Sequence, residues 1–434
     1  MEFYSTRHIS PAVSFKEAVL DSLPPDHGLY MPEYLHSYPR DFLAKLSETD
    51  FAAHSFITAK SLLGDSMPDD ILAQIIEETL SFPCPLLKLE NGLSVLELTH
   101  GPSLAFKDYG ARFMARVMRY YKQNHSRELN VLVATSGDTG GAVALGFLGV
   151  EGIKVHILFP SGKISKGQEK QLTTLGQNII AYEIEGSFDH CQAIVKKAFL
   201  DPLLNEKKWL TSANSINIAR LIPQTFYYTE AYKQAGEDKP IIFCTPSGNF
   251  GNLTAGLFAK KCGLPVAHFI AANNLNNPVC RYLDTGKYDP MPAVSTLSNA
   301  MDVGAPSNFV RMLTLYNNEL DLIRKDISGY TIDEPETEQA MKTLWQKYNY
   351  LACPHTALAY KAVMKYRVQH PEVEAHFIFL STAHPSKFED SVMHITGQQP
   401  AYPPQLKELM QREGTSIKSS ASYEDFREKL LQVT

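Results

Sequence analysis

The sequence predicts an α/β protein whose parallel-rich sheets are covered by helices on both faces, with a mostly helical amino-terminal domain in front. The main observation is a unit that recurs from about residue 90 onward: an apolar, β-rich run, a loop of small residues and an amphipathic helix. Strands that alternate with helices and read as continuous apolar runs are typical of parallel sheets buried on both faces. The predicted strands span residues 93–98, 130–135, 154–159, 240–244 and 376–380.

Helices are predicted after these strands and in the segment that precedes residue 240. They span residues 109–120, 142–148 and 221–232, and further helices end near residues 175, 263 and 395. In open parallel sheets, ligands bind outside the carboxyl ends of the strands. The loops that join each strand to its helix are therefore where site residues are expected.

The first 85 residues differ from the rest, because they are rich in Pro, Asp and His and carry only short helical patterns, at 14–22 and 68–80. Two prolines in Ser81-Phe-Pro-Cys-Pro85 then interrupt any helix. We expect a separate domain over residues 1–85 and a core over residues 86–434. The last part of that core, 396–434, is predicted to be a helical closing segment with helices at 406–413 and 423–432.

Composition excludes several classes of protein. Hydrophobic residues make up 44% and charged residues 20% of the chain, as in ordinary globular proteins. The net charge is −6 and no cluster of five or more basic residues occurs, so nucleic-acid or anionic-membrane binding by bulk electrostatics is not expected.

The cysteines and the amino terminus indicate the compartment. The six cysteines form no CxxC pair and no Cys/His cluster at zinc spacing, which predicts reduced thiols, no disulfide framework and no metal site. The first ten residues lack the pattern of a signal peptide. The most apolar 20-residue window, 131–150, contains Ser136-Gly-Asp-Thr-Gly140 and is unsuited to a membrane span. We expect a cytoplasmic protein.

Lys107, in His100-Gly-Pro-Ser-Leu-Ala-Phe-Lys-Asp108, lies where a predicted strand passes into a predicted helix. A lysine partly withdrawn from water has a lowered pKa, because desolvation disfavours the ammonium form. Such an amine attacks carbonyl groups and forms a Schiff base. A surface lysine near a helix start is the alternative, and the position alone does not separate the two.

Two small-residue loops are candidate anion sites. Pro246-Ser-Gly-Asn-Phe-Gly-Asn252 opens a helix after a strand, and it lacks both the GK[ST] of nucleotide P-loops and the GxGxxG of dinucleotide sites. A single phosphate suits it, unless its Gly and Asn residues serve turn geometry alone. Thr135-Ser-Gly-Asp-Thr-Gly140 has the same design and suits a substrate carboxylate or, equally, a capped turn without a ligand.

Three further residues are candidates for the same crevice. Arg220 follows a run of amides and hydroxyls that begins at Ser212, and a guanidinium recognises phosphate with two hydrogen bonds. Lys163 would add a point charge, and Thr382 would place a hydroxyl at the end of the last strand. Taken singly, Arg220 and Lys163 are each better explained as solvated surface residues than as ligand contacts.

The chain contains the motifs HGPSLAFKD, PSGNFG and STAHPSKF in this order. It also contains SGDTG, SGKIS and NSINIAR, and near the amino terminus Val13-Ser-Phe and His27-Gly-Leu-Tyr-Met. Taken together, these segments resemble the threonine synthase family. The resemblance is to the branch with an extra amino-terminal domain, within the tryptophan-synthase-β-like (fold type II) class of pyridoxal-phosphate enzymes. It covers nearly the whole chain. It implies a core of two α/β subdomains with the site between them, the smaller over about 108–220.

The resemblance also implies a role for each candidate residue. Lys107 would form the Schiff base with pyridoxal 5′-phosphate and act as the catalytic base. Asp138 would lie beside the cofactor's ring hydroxyl, where relatives of the class often carry Asn. The implied cofactor contacts are Lys107, Asp138, Ser247, Gly248, Asn249, Phe250, Gly251, Asn252 and Thr382. The implied substrate contacts are Thr135, Ser136, Gly137, Thr139, Lys163, Asn217 and Arg220.

The activity implied by the resemblance is β,γ-replacement, which converts O-phospho-L-homoserine and water to L-threonine and phosphate in threonine biosynthesis. The enzyme would be a carbon–oxygen lyase that acts as a monomer, with a homodimer as the alternative, and without nucleic-acid or membrane partners. One competing hypothesis is a pyridoxal-phosphate-dependent phospholyase that releases a keto acid, ammonia and phosphate. The other is a non-catalytic binding module that retains the fold.

Overall fold

The computed structural model describes residues 1–123, 125–236 and 238–433. Their strands form a small antiparallel sheet near the amino terminus, a six-stranded sheet and a five-stranded sheet. The strands are β1 Glu2–Ser5, β2 Val13–Ser14, β3 Tyr30–Pro32, β4 Leu86–Glu90, β5 Leu93–Glu97, β6 Leu129–Ala134, β7 Ile153–Pro160, β8 Ile179–Glu185, β9 Trp209–Ser212, β10 Ile241–Pro246, β11 Val266–Asn273, β12 Ile327–Thr331, β13 His376–Ser381 and β14 Ile417–Ser420.

Helices follow most of the parallel strands. They are α1 Phe15–Asp21, α2 Phe42–Lys45, α3 Phe51–Leu63, α4 Asp69–Thr79, α5 Lys107–Lys122, α6 Asp138–Phe147, α7 Lys166–Thr173, α8 Phe188–Leu200, α9 Pro202–Lys207, α10 Ile218–Leu221, α11 Phe226–Ala235, α12 Gly251–Lys261, α13 Pro278–Thr285, α14 Phe309–Leu315, α15 Leu320–Asp326, α16 Glu334–Tyr348, α17 Pro354–Gln369, α18 Glu389–Thr396, α19 Pro404–Gln411 and α20 Tyr423–Gln432. Short 3₁₀ turns span Leu46–Glu48, Ile222–Thr225, Asn299–Met301 and Pro385–Phe388. Within the described residues, no helix combines the length and the apolar character that crossing a membrane requires.

The six-stranded sheet has the order β12-β11-β10-β13-β5-β4 and is parallel except for β4, which runs antiparallel to β5. Successive residues of a strand point to opposite faces. In β10, Ile241 and Phe243 belong to one apolar core, while Ile242 and Cys244 belong to a second core that includes residues of α17. Both faces of the sheet are buried, which is why its strands read as continuous apolar runs.

The five-stranded sheet has the order β14-β8-β7-β6-β9 and is parallel throughout. Its strand β6 is likewise shared between two cores, with Val131 and Val133 on one face and Leu132 and Ala134 on the other. The predicted fold class, parallel sheets covered on both faces, is confirmed.

The two ends of the chain contain strands that the sequence did not predict. The closing segment has helices α19 and α20 as predicted, but β14 lies between them and pairs with the edge strand β8. The amino-terminal segment has α1 and α4 at the predicted places, and in addition the sheet β2-β1-β3. These strands have two to four residues each, too short for a period-two pattern to be recognised.

The amino-terminal segment is attached to the body around β9. The Ser22 hydroxyl lies 2.6 Å from the Thr211 hydroxyl and donates to the Ser212 carbonyl at 3.0 Å. From the other side, the Asn217 amide donates to the Val19 carbonyl at 2.8 Å. These buried hydrogen bonds connect α1 to the segment that precedes α10.

Candidate active site

One cavity lies where the carboxyl ends of β6, β10 and β13 meet the first turn of α5. Most of the site residues predicted from the sequence line it, as the position of a ligand site in parallel sheets requires. Those that line it are Lys107, Thr135, Ser136, Asp138, Thr139, Arg220, Gly248, Asn249, Phe250, Gly251, Asn252 and Thr382. Gly137, Lys163, Asn217 and Ser247 do not.

Lys107 is the first residue of α5, and the turn before it is held against the loop that follows β13. The Phe106 N–H donates to the Thr382 carbonyl at 3.0 Å, and the His384 N–H donates to the Leu104 carbonyl at 3.0 Å. Leu104 adopts a left-handed conformation, with φ of 59°, which lets the chain turn into the helix. Lys107 and Thr382 are thereby placed on neighbouring walls of the cavity.

The Lys107 amine has the electrostatic setting that the sequence predicted. Burial is the main influence and lowers its pKa to about 8; Lys387 and Arg220 also lower the pKa, while Asp138 opposes them. The side chain is only partly exposed, and it lines the cavity. The neutral amine that attack on a carbonyl requires is therefore more abundant near neutral pH than in an ordinary lysine.

The loop between β10 and α12 is built for a close approach of backbone to a ligand. Phe250 adopts a left-handed conformation with φ of 61°, and a Cβ on Gly248 would lie 2.7 Å from the Met301 Cα. The N–H groups of Gly251 and Asn252 belong to the first helical turn and have no acceptor within the helix. Residues 248–252 line the cavity, so this loop can receive an anion.

Ser247 does not fit its predicted part in that loop. Its backbone N–H donates to the Ala272 carbonyl at 3.1 Å, because Ser247 extends the ladder between β10 and β11. Its hydroxyl donates to Asn252 Oδ1 at 2.6 Å. In this geometry the Ser247 N–H already has an acceptor, so it is not among the N–H groups that are open to a phosphate.

The loop between β6 and α6 is shaped by its own threonine. Thr135 Oγ1 accepts hydrogen bonds from the N–H groups of Gly137, at 2.9 Å, and Gly140, at 2.8 Å. Gly137 has φ of 130° and lies against Gln168, where a Cβ would come within 2.3 Å of the Gln168 side chain. Gly137 therefore makes the turn possible, while Ser136 and Thr139 present hydroxyls at the cavity wall.

Asp138 is buried and ion-paired. Its Oδ1 lies 2.6 Å from Lys387 Nζ and accepts a hydrogen bond from Gln168 Nε2 at 3.1 Å. Burial alone would raise its pKa, but Lys387 and Lys107 outweigh burial and hold the pKa well below the usual range of an aspartate. Asp138 is therefore a carboxylate in the wall of the cavity, and it accepts hydrogen bonds.

Arg220 brings a second buried cation to the cavity. Its Nη1 donates to the Ala213 carbonyl at 2.5 Å, its Nε has no partner, and within the described ranges it forms no ion pair. Burial lowers its pKa to about 10, partly opposed by Asp108, so it stays protonated at neutral pH. A buried guanidinium with unused hydrogen-bonding capacity suits an anionic ligand group.

Two predicted substrate contacts lie elsewhere in the structure. Lys163 is exposed in the turn after β7. Asn217 is fully buried and caps α10: its Oδ1 accepts from the Ala219 N–H at 3.0 Å, and its amide donates to the Val19 carbonyl. Because the Asn217 side chain already has these partners, its direct contact with a substrate is not supported by this geometry.

Comparison with known proteins finds family matches along nearly the whole chain. The chain matches the family descriptions "Threonine synthase N terminus" over residues 2–80, "Pyridoxal-phosphate dependent enzyme" over 76–380 and "Threonine synthase, C-terminal" over 356–428. It is 42% identical to threonine synthase from Escherichia coli over 410 residues, which is 94% of each chain. The chain belongs to the threonine synthase family.

Solved structures of the family agree in fold. The crystal structure of threonine synthase from Escherichia coli superposes with a TM-score of 0.93 at 39% identity and covers 100% of both chains. The structure of threonine synthase with bound pyridoxal phosphate from Brucella melitensis superposes with a TM-score of 0.92 at 32% identity, over 99% of this chain and 98% of that one. The activity is therefore that of a threonine synthase, a lyase of threonine biosynthesis, and the cofactor is pyridoxal 5′-phosphate.

The residues of this threonine synthase site fit that cofactor. An aldehyde requires a lysine amine of lowered pKa, which Lys107 provides. A phosphate requires N–H groups without internal acceptors, which residues 248–252 provide at the start of α12. The site thus provides a group for the aldehyde of the cofactor and a loop for its phosphate.

Sequence reasoning missed several buried residues of this threonine synthase site, among them Lys387 and His355. Lys387 contacts Asp138. The sequence feature that could have identified Lys387 is its position five residues after Thr382, in the same loop. His355 lines the cavity at the start of α17. Burial lowers the His355 pKa to about 4, so its ring is neutral, and Nε2 accepts from the Ala300 N–H at 3.3 Å.

Proposed function

We propose that this chain converts O-phospho-L-homoserine and water to L-threonine and phosphate, with Lys107 as the residue that bonds the cofactor and moves the Cα proton. The observation that carries the proposal is the position of Lys107. Its amine, with a pKa of about 8, lines the same cavity as an anion-receiving loop and the buried guanidinium of Arg220. A reaction that needs one phosphate on its cofactor and another on its substrate needs two such sites.

For the cofactor, the loops that follow β10 and β13 and the start of α6 provide the binding groups. The N–H groups of residues 248–252 would hold the phosphate, and the hydroxyl of Thr382 would meet the ring nitrogen. A neutral hydroxyl does not fix a proton on that nitrogen as a carboxylate would. Asp138 would accept a hydrogen bond from the ring hydroxyl. When bound, the cofactor supplies an electron sink to the carbon that carries the substrate's amine.

For the substrate, the loop after β6 and the start of α10 provide the groups. The hydroxyls of Thr135, Ser136 and Thr139 and the first N–H groups of α6 would bind the α-carboxylate. Arg220 would bind the substrate phosphate. We assign Asn217 an indirect part, because it caps the short helix that carries Arg220. Gly137 has an indirect part too, as the residue that lets its loop turn.

Lys107 Nζ is the group placed to move protons. It would remove the proton from Cα and return it at the end of the cycle. In between, a proton would leave Cβ, the Cγ–O bond to phosphate would break and Cγ would gain a proton. Water would then add its hydroxyl at Cβ and give its remaining proton to the released phosphate. Such a sequence requires that stray water be excluded, since premature release would give a keto acid. Phe106, Phe188 and Met301 supply apolar lining on the cavity wall.

We also infer a division of the chain into residues 1–85 and 86–434, with a smaller subdomain over about 108–220. The five-stranded sheet, four of whose strands lie between Leu129 and Ser212, supports the smaller unit. A cytoplasmic monomer without nucleic-acid or membrane partners is our working assignment, with a homodimer as the alternative. The net charge of −6 without a basic cluster supports the absence of polyanionic partners.

A product assay combined with a spectrum tests the proposal. The purified chain should carry a visible absorption band that borohydride bleaches, with the reduced adduct on Lys107, and Lys107→Ala should lack it. With O-phospho-L-homoserine, threonine and phosphate should form in equal amounts. Formation of 2-oxobutanoate and ammonia instead would favour the phospholyase. A colourless protein that stays colourless with added cofactor would overturn the assignment.

A further inference from the structure

Lys387 forms an unusually deep ion pair. The side chain of Lys387 is 0% exposed and that of Asp138 is 2% exposed, with 2.6 Å between Nζ and Oδ1. In all other lysine–carboxylate and arginine–carboxylate pairs of the described residues, the cation is at least 16% exposed. Removing one partner of a buried pair leaves an uncompensated charge, so each charge of this pair depends on the other.

The second contact of Lys387 reaches the turn that carries Lys107. Lys387 Nζ donates to the Ser103 carbonyl at 2.9 Å, and the same carbonyl accepts from Gln171 Nε2 at 2.9 Å. The Ser103 N–H in turn donates to Asp108 Oδ2 at 2.9 Å. The ammonium therefore connects the loop after β13, the start of α6 and the turn before α5, three segments that surround Lys107.

The charges around Lys107 explain what this connection does. Asp138 is the negative neighbour of Lys107, and Lys387 and Arg220 are the positive ones. While Lys387 neutralises Asp138, the cavity carries no net negative charge beside the Lys107 nitrogen. Without Lys387, Lys107 would be the main cation that acts on Asp138, and a proton on the Lys107 nitrogen would be stabilised.

We propose that Lys387 is a positioning residue of this enzyme: it holds Asp138 as an ionised acceptor in the cavity wall and keeps the turn that carries Lys107 in place. This inference rests on the proposed roles of Lys107 and Asp138, and it adds a residue to which neither the motifs nor the comparisons give a role. Lys387 acts through Asp138 and the Ser103 carbonyl, and it touches no reacting atom.

The test compares the full-length holoenzyme with Lys387→Met, Asp138→Asn and the double variant. The main readout is the pH at which the visible absorption band changes, because it reports protonation of the Lys107-derived nitrogen. Lys387→Met should move that pH upward by about one unit, since a neighbouring positive charge is lost. Asp138→Asn should move it downward, and the double variant should fall between the two.

Cofactor retention and the unfolding temperature provide the second readout. Each single variant leaves one buried charge unpaired, so both should lose cofactor on dialysis and unfold at a lower temperature than the wild type. The double variant should recover part of both losses. Lys365→Met is the matched control, because Lys365 pairs with Glu336 at 2.7 Å and also contacts a backbone carbonyl, but is 31% exposed. It should leave the band unchanged.

The outcomes separate this inference from the proposed function. Shifts of the same sign in all three variants, or no shift in Lys387→Met, would overturn the positioning role and leave Lys387 as packing alone. If the wild-type band were absent or did not depend on Lys107, the proposed function itself would fail. A wild-type band that shifts upward in pH in Lys387→Met and downward in Asp138→Asn supports both, whereas shifts of the reverse signs would overturn the positioning role.

Discussion

The backbone N–H of Phe106 donates to the carbonyl of Thr382 at 3.0 Å, which joins the turn before Lys107 to the end of β13. The bond uses main-chain atoms of Thr382, so its hydroxyl stays available on the cavity wall. An adjacent bridge between Ala105 and Ala383 continues the contact. Backbone contacts thus fix the position of Lys107, proposed to bond the cofactor, relative to Thr382, proposed to contact its ring.

Replacing Thr382 with valine should weaken cofactor binding without disturbing these backbone contacts. Valine keeps the shape and the backbone bonds but removes one hydrogen bond, which contributes about 0.5–1.5 kcal/mol. We expect the cofactor dissociation constant to rise by about 3- to 10-fold. Titration of the cofactor-free protein, followed by the visible band, measures it. Ser381→Ala is the control: its hydroxyl lies 3.1 Å from that of Thr356, so stability should change and the dissociation constant should not.

Gly248→Ala should damage the cofactor loop. The added Cβ would lie 2.7 Å from the backbone Cα of Met301, so the loop must move, at about 1–3 kcal/mol. We expect at least a tenfold loss of cofactor affinity and a lower unfolding temperature. Gly167→Ala, in α7, is the control, because its Cβ would find its nearest neighbour at 3.7 Å. An alanine at 248 with wild-type affinity would show that this loop does not hold the phosphate.

Arg220→Lys should impair substrate binding more than cofactor binding. Lysine keeps the charge but loses the planar, two-pronged geometry that suits phosphate. We expect KM for O-phospho-L-homoserine to rise by about 10- to 100-fold, since hydrogen bonds to charged groups contribute about 1.5–3 kcal/mol. The visible band of the holoenzyme should be unchanged. Steady-state kinetics and a spectrum of the same preparation measure both.

Lys163 and Asn217 test whether the cavity as described is complete. Lys163→Ala should change KM by less than about twofold, because the side chain is exposed and outside the cavity. Asn217→Ala should lower stability by about 1 kcal/mol through loss of the helix cap and raise KM indirectly. A rise of KM in Lys163→Ala equal to that in Arg220→Lys would contradict the described geometry and restore the sequence-based prediction.

The sequence predicted three of the six strands of the six-stranded sheet, β5, β10 and β13, because a strand buried on both faces has only apolar choices, as Ile241 to Cys244 show. It did not predict β4, β11 or β12. It also predicted which loops form the site, since parallel strands all end at one edge. It failed where a residue's role depends on a partner distant in sequence. No residue near Lys387 in the sequence indicates that Asp138, at the start of α6, is its ion-pair partner. Likewise, Asn217 has a side chain of the kind that often contacts ligands, but its amide donates a hydrogen bond to the Val19 carbonyl.

The lowered pKa of Lys107 should be visible in the pH dependence of cofactor incorporation. Only the neutral amine attacks the aldehyde, so the rate at which the cofactor-free chain gains the visible band should rise with pH and level off above about 8.

The lowered pKa of Lys107 also affects folding. Because an unfolded lysine holds its proton to about pH 10.4, the unfolded chain binds more protons between the two values, and Lys107 adds stability as pH rises through that window. Denaturant unfolding of the cofactor-free wild type and Lys107→Met at pH 7.5 and 10 checks the sign: the wild type should gain stability relative to the variant at the higher pH. An equal response in both proteins would show that the amine has an ordinary pKa in the folded chain.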